Sequence, residues 1–278
     1  MNKGSFLLKG LNGLKLQGTC WLPDSSPKAV ICLVHGLGEH RARYQHVAEA
    51  LVRAGYGLYA YDQRGHGESE GKRGYTPGYE ALLHDLDVVL QMIAGKNAET
   101  PLFLYGHSMG GNVVANYLLY RNTDAISGAI ITSPWFYLTQ EPPGIQVALA
   151  KFIVKLFPTF SQGNGLNIEH LTHDPKVNQA YKEDPLVHPR ISARLFIDAY
   201  AAGKRVVADA DKLSLPVLLM HGSEDQITSP EGTKAFAQKA GEKAQLKIWE
   251  GLYHETHNEP QKEEVIRTII NWLDGQTS

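Results

Sequence analysis

The chain has 278 residues, 43% hydrophobic and 20% charged, which is ample for one large core. Its net charge of −2 offers no basic surface for a nucleic acid, and no run approaches the roughly 20 apolar residues of a membrane span. The two cysteines, Cys20 and Cys32, both fall in strand-like apolar runs, so buried free thiols are expected rather than a disulfide framework.

The first ten residues carry no long apolar core and no cleavage signature, which predicts no signal peptide and a cytoplasmic compartment. Phe6-Leu-Leu8 and the run at 14–22 are separated by Asn12-Gly13, a hairpin signal between two antiparallel strands. Ala29-Val-Ile-Cys-Leu-Val34 is continuously apolar, as a strand buried on both faces must be. It ends in His35-Gly-Leu-Gly-Glu-His40, and a helix follows over about 44–54, closed by Gly55. A strand at 57–61 runs into Asp62-Gln-Arg-Gly-His-Gly-Glu-Ser69. Helical periodicity then covers 79–93. Next come an apolar strand at 102–105, a helix at 113–120 and a strand at 126–131.

Strand and helix in regular alternation predict a mainly parallel sheet with helices on both faces. From Trp135 the rhythm breaks for about seventy residues, until Pro216-Val-Leu-Leu-Met220. A structureless loop of that length is implausible inside a compact domain, so helices inserted as a cap are expected. The interval holds an almost wholly apolar segment at 145–157, with Lys151 and Lys155 one turn apart. It also holds a loop-rich middle at 161–165 and a helix at 191–202. After the cap, the strand at 216–220 ends in His221-Gly-Ser-Glu-Asp-Gln226. A helix at 230–240, a strand at 245–249, the loop Gly251-Leu-Tyr-His-Glu-Thr-His257 and a helix at 262–273 complete the chain.

Gly106-His-Ser-Met-Gly110 fits the G-x-S-x-G elbow, in which a serine stands on a sharp strand-to-helix turn. Such a turn lifts the hydroxyl clear of the sheet and aims the first N–H groups of the helix at whatever it attacks. Three fixed positions recur by chance in about one chain in ten of this length, so the partners decide. A serine needs a base, and the base an orienting carboxylate. The loop after the strand at 216–220 offers Glu224 and Asp225. The loop after the last strand offers His254 and His257. All lie at strand carboxyl ends, where loops of parallel sheets converge, and the order serine, acid, histidine is that of α/β-hydrolases.

The chain resembles the α/β-hydrolases, and specifically their monoacylglycerol lipase and lysophospholipase branch. The resemblance runs through 35–44, 62–69, 106–111, 184–187, 216–225 and 251–254, and is weakest in the cap. It implies a mostly parallel sheet of about eight strands and one domain over 1–278, with a cap at about 136–206. It further implies Ser108 as nucleophile, Asp225 as acid and His254 as base, with the Leu37 and Met109 N–H groups as oxyanion hole. Glu39, Arg43 and His257 match residues that form a polar pocket for the glycerol head group. The alternative for Glu39 and Arg43 is an ordinary ion pair at helix spacing.

The expected reaction is hydrolysis of monoacylglycerols, or similar single-chain lipid esters, through an acyl-enzyme. Lysophospholipids or general carboxylic esters are the alternative substrates, and a low-turnover receptor or scaffold is a remote one. No metal or organic cofactor is expected, since the histidines are scattered without zinc-type spacing. The loop 62–69 has no derivable catalytic task and is expected to brace its neighbours. The apolar segment at 145–157 is either an ordinary buried helix or a channel lining that touches a membrane surface transiently. Oligomeric state is not legible.

Overall fold

The computed structural model describes residues 1–277. The chain opens with β1 (Asn2–Lys9) and β2 (Lys15–Leu22), an antiparallel pair. The turn between them places Asn12 at φ 63° and Gly13 at φ 74°, the positive values that an Asn-Gly hairpin supplies cheaply. Then follow β3 (Val30–Val34), α1 (Gln45–Arg53), β4 (Gly57–Tyr61), α2 (Tyr79–Lys96), β5 (Leu102–His107), α3 (Met109–Tyr120) and β6 (Gly128–Thr132). The middle of the chain forms α4 (Gly144–Leu156), β7 (Ser161–Gly163), α5 (Pro175–Glu183), β8 (Arg190–Ser192) and α6 (Ala193–Ala208). The last elements are β9 (Val217–Gly222), α7 (Pro230–Ala240), β10 (Ala244–Trp249) and α8 (Lys262–Thr277).

The fold is that of an α/β-hydrolase: eight strands make one sheet in the order β1-β2-β4-β3-β5-β6-β9-β10, and every neighbouring pair from β4 onward is parallel. Only β2 runs against the rest. Side chains alternate between faces along each strand. On β3, Val30, Cys32 and Val34 join the core under α2, α3, α6 and α7, while Ile31 and Leu33 join the core under α1 and α8. This two-sided burial is why the central strands read as unbroken apolar runs. Cys32 is buried and Cys20 half-buried; both thiols are free.

The segment between β6 and β9 holds three elements that its composition concealed: β7, β8 and α5. Ser161–Gly163 pairs antiparallel with Arg190–Ser192, so part of the expected loop is a small second sheet. Pro175–Glu183 is a helix with Asp174 capping the Lys176 N–H and proline in the first turn. α6 belongs to the main helical layer: its Leu195, Ala199, Ala202 and Val206 join the core with α3 and α7. α4 behaves differently, because none of its residues is buried. The ordinary-buried-helix alternative for 145–157 is therefore excluded. One side of α4 roofs a cavity, and its remaining surface carries Ile145, Phe152 and Leu156, each more than half exposed.

The loop after β4 is a brace. Asp62 Oδ1 accepts the Arg41 N–H at 2.8 Å, its Oδ2 accepts the Glu68 N–H at 2.8 Å, and it pairs with the Arg41 guanidinium. Ser69 Oγ closes the loop on the Asp62 carbonyl at 2.6 Å, and Arg64 forks onto Asp85 of α2 with two bonds of 2.6 Å. These bonds hold the segment that precedes α1, and with it the loop 36–40.

Candidate active site

β5 ends at His107 and α3 starts at Met109, so Ser108 alone makes the turn. Its backbone sits at φ 54°, ψ −118°. L-residues rarely occupy that region, and it persists only where the surroundings enforce it. Here the Ser108 N–H donates to Thr132 O at 3.0 Å, while Ser108 O accepts from Asn112 and Trp135 at 3.1 and 3.0 Å. A Cβ at Gly106 would come within 2.6 Å of Gly110 O, and one at Gly110 would run into the Val34 and His35 carbonyl oxygens. Glycine on both sides of the serine is thus a packing requirement.

Ser108 Oγ lies 3.0 Å from His254 Nε2, and His254 Nδ1 lies 2.7 Å from Asp225 Oδ2. A carboxylate can only accept, so Nδ1 carries the ring proton and Nε2 presents its lone pair to the hydroxyl. Asp225 Oδ1 accepts the Ile227 and Thr228 N–H groups at 2.7 and 3.0 Å, and Oδ2 also accepts His221 Nε2 at 3.0 Å. Burial by itself would raise the pKa of Asp225. The charges and hydrogen bonds of His254 and His221 outweigh it and hold the carboxyl well below its usual range. For His254, burial pulls the pKa down, but the Asp225 charge and hydrogen bond raise it overall. The array can lift a proton from Ser108 while keeping the resulting imidazolium paired. The other sequence candidate for the acid, Glu224, is exposed.

Ser108 sits in the wall of a cavity of about 770 Å³. Leu37 and Trp135 flank it; Leu149, Ile153 and Phe160 roof it; Phe196 and Ile227 complete an apolar side. The Leu37 and Met109 N–H groups make no hydrogen bond to another described residue, so both remain available as donors. The loop that carries Leu37 is anchored from two directions. The Gly36 N–H donates to Glu39 Oε1 at 2.6 Å, and Gly38 O accepts the His188 N–H at 2.9 Å. His40 adds a 2.8 Å contact to Asp184.

Glu39, in the wall of this cavity, pairs with Arg43, and Arg43 has a second partner far away in the chain. Arg43 Nη1 binds Glu39 Oε2 at 2.7 Å and Glu255 Oε1 at 2.6 Å, while its Nη2 binds Glu255 Oε2 at 2.7 Å. Glu39 and Glu255 belong to the cavity wall; Arg43 lies behind them, its guanidinium 4.6 Å from the Tyr181 ring centre. Burial would raise the Glu255 pKa, but the Arg43 charge overrides it and keeps the group ionised. The one sequence signal for Glu255 was its position directly after His254.

His257 is not brought to the cavity wall. It is fully buried, stacked on Tyr44 at 4.8 Å and edge-on to His107 at 4.8 Å, and neither ring nitrogen has a hydrogen-bond partner among the described residues. Burial pushes its pKa down to about 3. His107 packs between Tyr44, His254 and His257, with Nδ1 3.1 Å from Thr132 Oγ1. No cluster of three or more His, Cys, Asp or Glu groups suited to a metal ion occurs among the described residues.

Comparison with known proteins shows the family. The family model Hydrolase_4, described as serine aminopeptidase S33, matches residues 25–261. An uncharacterized abhydrolase domain-containing protein of Dictyostelium discoideum is 35% identical over 257 residues, 91% of this chain; the chain spans 27% of that protein's length. The monoacylglycerol lipase of Mycolicibacterium smegmatis is 33% identical over 266 residues, covering 95% of this chain and 94% of that one. The crystal structure of Paleococcus ferrophilus monoacylglycerol lipase superposes with a TM-score of 0.85 at 36% identity, covering 94% and 99% of the two chains. The chain belongs to the Hydrolase_4 family of α/β-hydrolases, in its monoacylglycerol lipase-like branch.

Proposed function

We propose that this protein is a serine carboxylic-ester hydrolase that cleaves monoacylglycerols to fatty acid and glycerol. The observation that carries the reading is the continuous Ser108–His254–Asp225 chain of hydrogen bonds in the wall of a largely apolar cavity with a carboxylate-lined end. Ser108 Oγ attacks the ester carbonyl as His254 Nε2 takes its proton. The Leu37 and Met109 N–H groups receive the oxyanion, each such donor stabilising the transition state by roughly 2.7–4 kcal/mol. Collapse of the tetrahedral intermediate breaks the bond to the glycerol oxygen, which His254 protonates. His254 then removes a proton from water, which attacks the acyl-enzyme and releases the fatty acid.

The head group binds at Glu39 and Glu255. Arg43, Gly36 and Tyr44 leave a free lone pair on Glu39 Oε2, and Arg43 leaves one on Glu255 Oε1. Both oxygens contact the same Arg43 nitrogen, at 2.7 and 2.6 Å, so they lie close enough to accept the two hydroxyls of a vicinal diol. Arg43 orients them, and His257 backs the site through Tyr44. The segment from α4 to β8 acts as the cap. The outer apolar surface of α4, with Phe157 and Phe160 beyond it and Lys151 and Lys155 alongside, supports transient docking on a lipid surface.

The test is fatty-acid release from one acyl chain carried on glycerol, glycerophosphocholine, methanol and nitrophenol, with Ser108→Ala beside the native protein. Preference for the glycerol ester, abolished in the variant, is expected. Indifference to the head group would reassign the protein as a general carboxylesterase.

A further inference from the structure

The cavity around Ser108 has a charge asymmetry that the hydrolase chemistry does not require. Among the described residues, two carboxylates, Glu39 and Glu255, form part of its wall, and no lysine or arginine does. Arg43 is the cation nearest these groups in the hydrogen-bond network, and three of its bonds go to the two glutamates. Its side chain is only 9% exposed. The three groups together leave a net charge of −1 at this part of the cavity wall. His170, His107 and His254 are the remaining titratable groups of the wall besides Tyr181. Burial holds His107 neutral, and the lone pair of His254 is committed to Ser108 before attack.

We infer that this end of the cavity is a charge filter, with Glu255 its specificity-determining residue: neutral, hydroxyl-bearing head groups enter, and phosphate-bearing ones are turned away. The inference rests on the monoacylglycerol reading and narrows it. Two physical effects act in the same direction. Like charges repel across a poorly solvated gap. The wall also offers hydrogen-bond acceptors, which hydroxyls satisfy and a phosphodiester, lacking a donor, leaves unpaired. Glu255 matters beyond its own charge because it neutralises Arg43. Without it, Arg43 and Glu39 balance, and the guanidinium gains free N–H groups suited to a phosphate. The same field repels the fatty carboxylate that the reaction produces, which favours its departure.

The experiment measures kcat/KM for one medium-length acyl chain, below its critical micelle concentration, on glycerol, on glycerol phosphate and on glycerophosphocholine. The native enzyme should prefer the glycerol ester over the glycerol phosphate ester by about 100-fold or more. Glu255→Gln keeps the side-chain volume and removes the charge. It should narrow that preference by about tenfold, with a gain on the phosphate ester. Equal rates on both esters in the native enzyme, or an unchanged ratio in the variant, would overturn the filter. Should the variant misfold, inhibition of the native enzyme by an alkyl glycerol ether and an alkyl phosphate of equal chain length decides. The phosphate should bind at least about tenfold more weakly; equal or tighter binding refutes the proposal. If the glycerol ester resists hydrolysis while a methyl ester is cleaved, the monoacylglycerol reading fails, and the inhibitor pair still judges the filter.

Discussion

His221 Nε2 lies 3.0 Å from Asp225 Oδ2, the same oxygen that His254 Nδ1 approaches to 2.7 Å, so one carboxylate oxygen is held between two imidazoles. His221 Nε2 also faces Thr228 O at 3.1 Å, and its Nδ1 lies 2.7 Å from Thr233 Oγ1. Both groups facing Nε2 are acceptors, so Nε2 carries a proton and His221 orients the acid. Leucine at this position should lower kcat by roughly 10–100-fold, the worth of one hydrogen bond to a charged group, with KM little changed. His221→Gln can place an amide N–H near Nε2 and should recover most of the loss. Equal damage from both variants would reduce His221 to a packing residue.

The acid limb of the pH–rate profile should report His254. The ring must be neutral to accept the serine proton, and Asp225 raises its pKa against the opposing effect of burial. Activity should therefore fall with a midpoint above the ordinary imidazole value of about 6.5. In stability the same shift has the opposite sense. The stabilisation from the His254–Asp225 pair is fully present below about pH 6.5 and is lost as pH rises through the folded-state pKa. A kcat/KM midpoint below pH 6 would contradict the pairing.

Acid should unfold this protein earlier than its carboxylates alone require. Burial pushes His257 down to about 3 and His188 down to about 4, and it holds His66 and His107 well below the ordinary value. Below about pH 6.5 the unfolded chain takes up protons at these sites and the native one does not, so stability falls with pH by up to about 1.4 kcal/mol per unit for each histidine. His257→Phe keeps the stacking on Tyr44 and removes two unpartnered buried nitrogens. It should raise stability by about 1–3 kcal/mol and flatten the dependence between pH 6.5 and 5. Urea unfolding at several pH values checks both; an unchanged slope would mean that His257 titrates normally.

Replacing Phe152, Leu156 and Phe157 together by serine should separate interfacial from soluble activity. All three are more than half exposed and outside the core. Insertion of such a side chain into lipid is worth roughly 1.5–3 kcal/mol. Vesicle binding and hydrolysis of vesicle-borne substrate should drop at least tenfold, while turnover of a short, soluble ester stays within twofold. Parallel loss on both substrates would point to a collapsed roof instead of a lost docking face.

The sequence by itself determined what local sterics and periodicity control. Unbroken apolar runs such as 29–34 mark strands with two buried faces. The glycines around Ser108 mark a turn that no Cβ tolerates. Gly-rich loops after strands mark the sheet edge where Ser108, Asp225 and His254 gather. Only the tertiary structure decided what depends on distant partners and on solvent. The Arg43–Glu255 fork joins residues 212 positions apart, so no spacing rule reveals it, and it sets the charge of the cavity. His257 lies within the right loop, yet Tyr44 and His107 close over it, because burial is a property of the packed neighbours. The segment at 145–157 is apolar apart from Gln146, Lys151 and Lys155, too few polar residues to orient it; only the assembled chain shows that one side roofs the cavity and the rest meets solvent. α5 and the β7–β8 pair escaped notice because they are short and polar, with packing rather than propensity holding them in place.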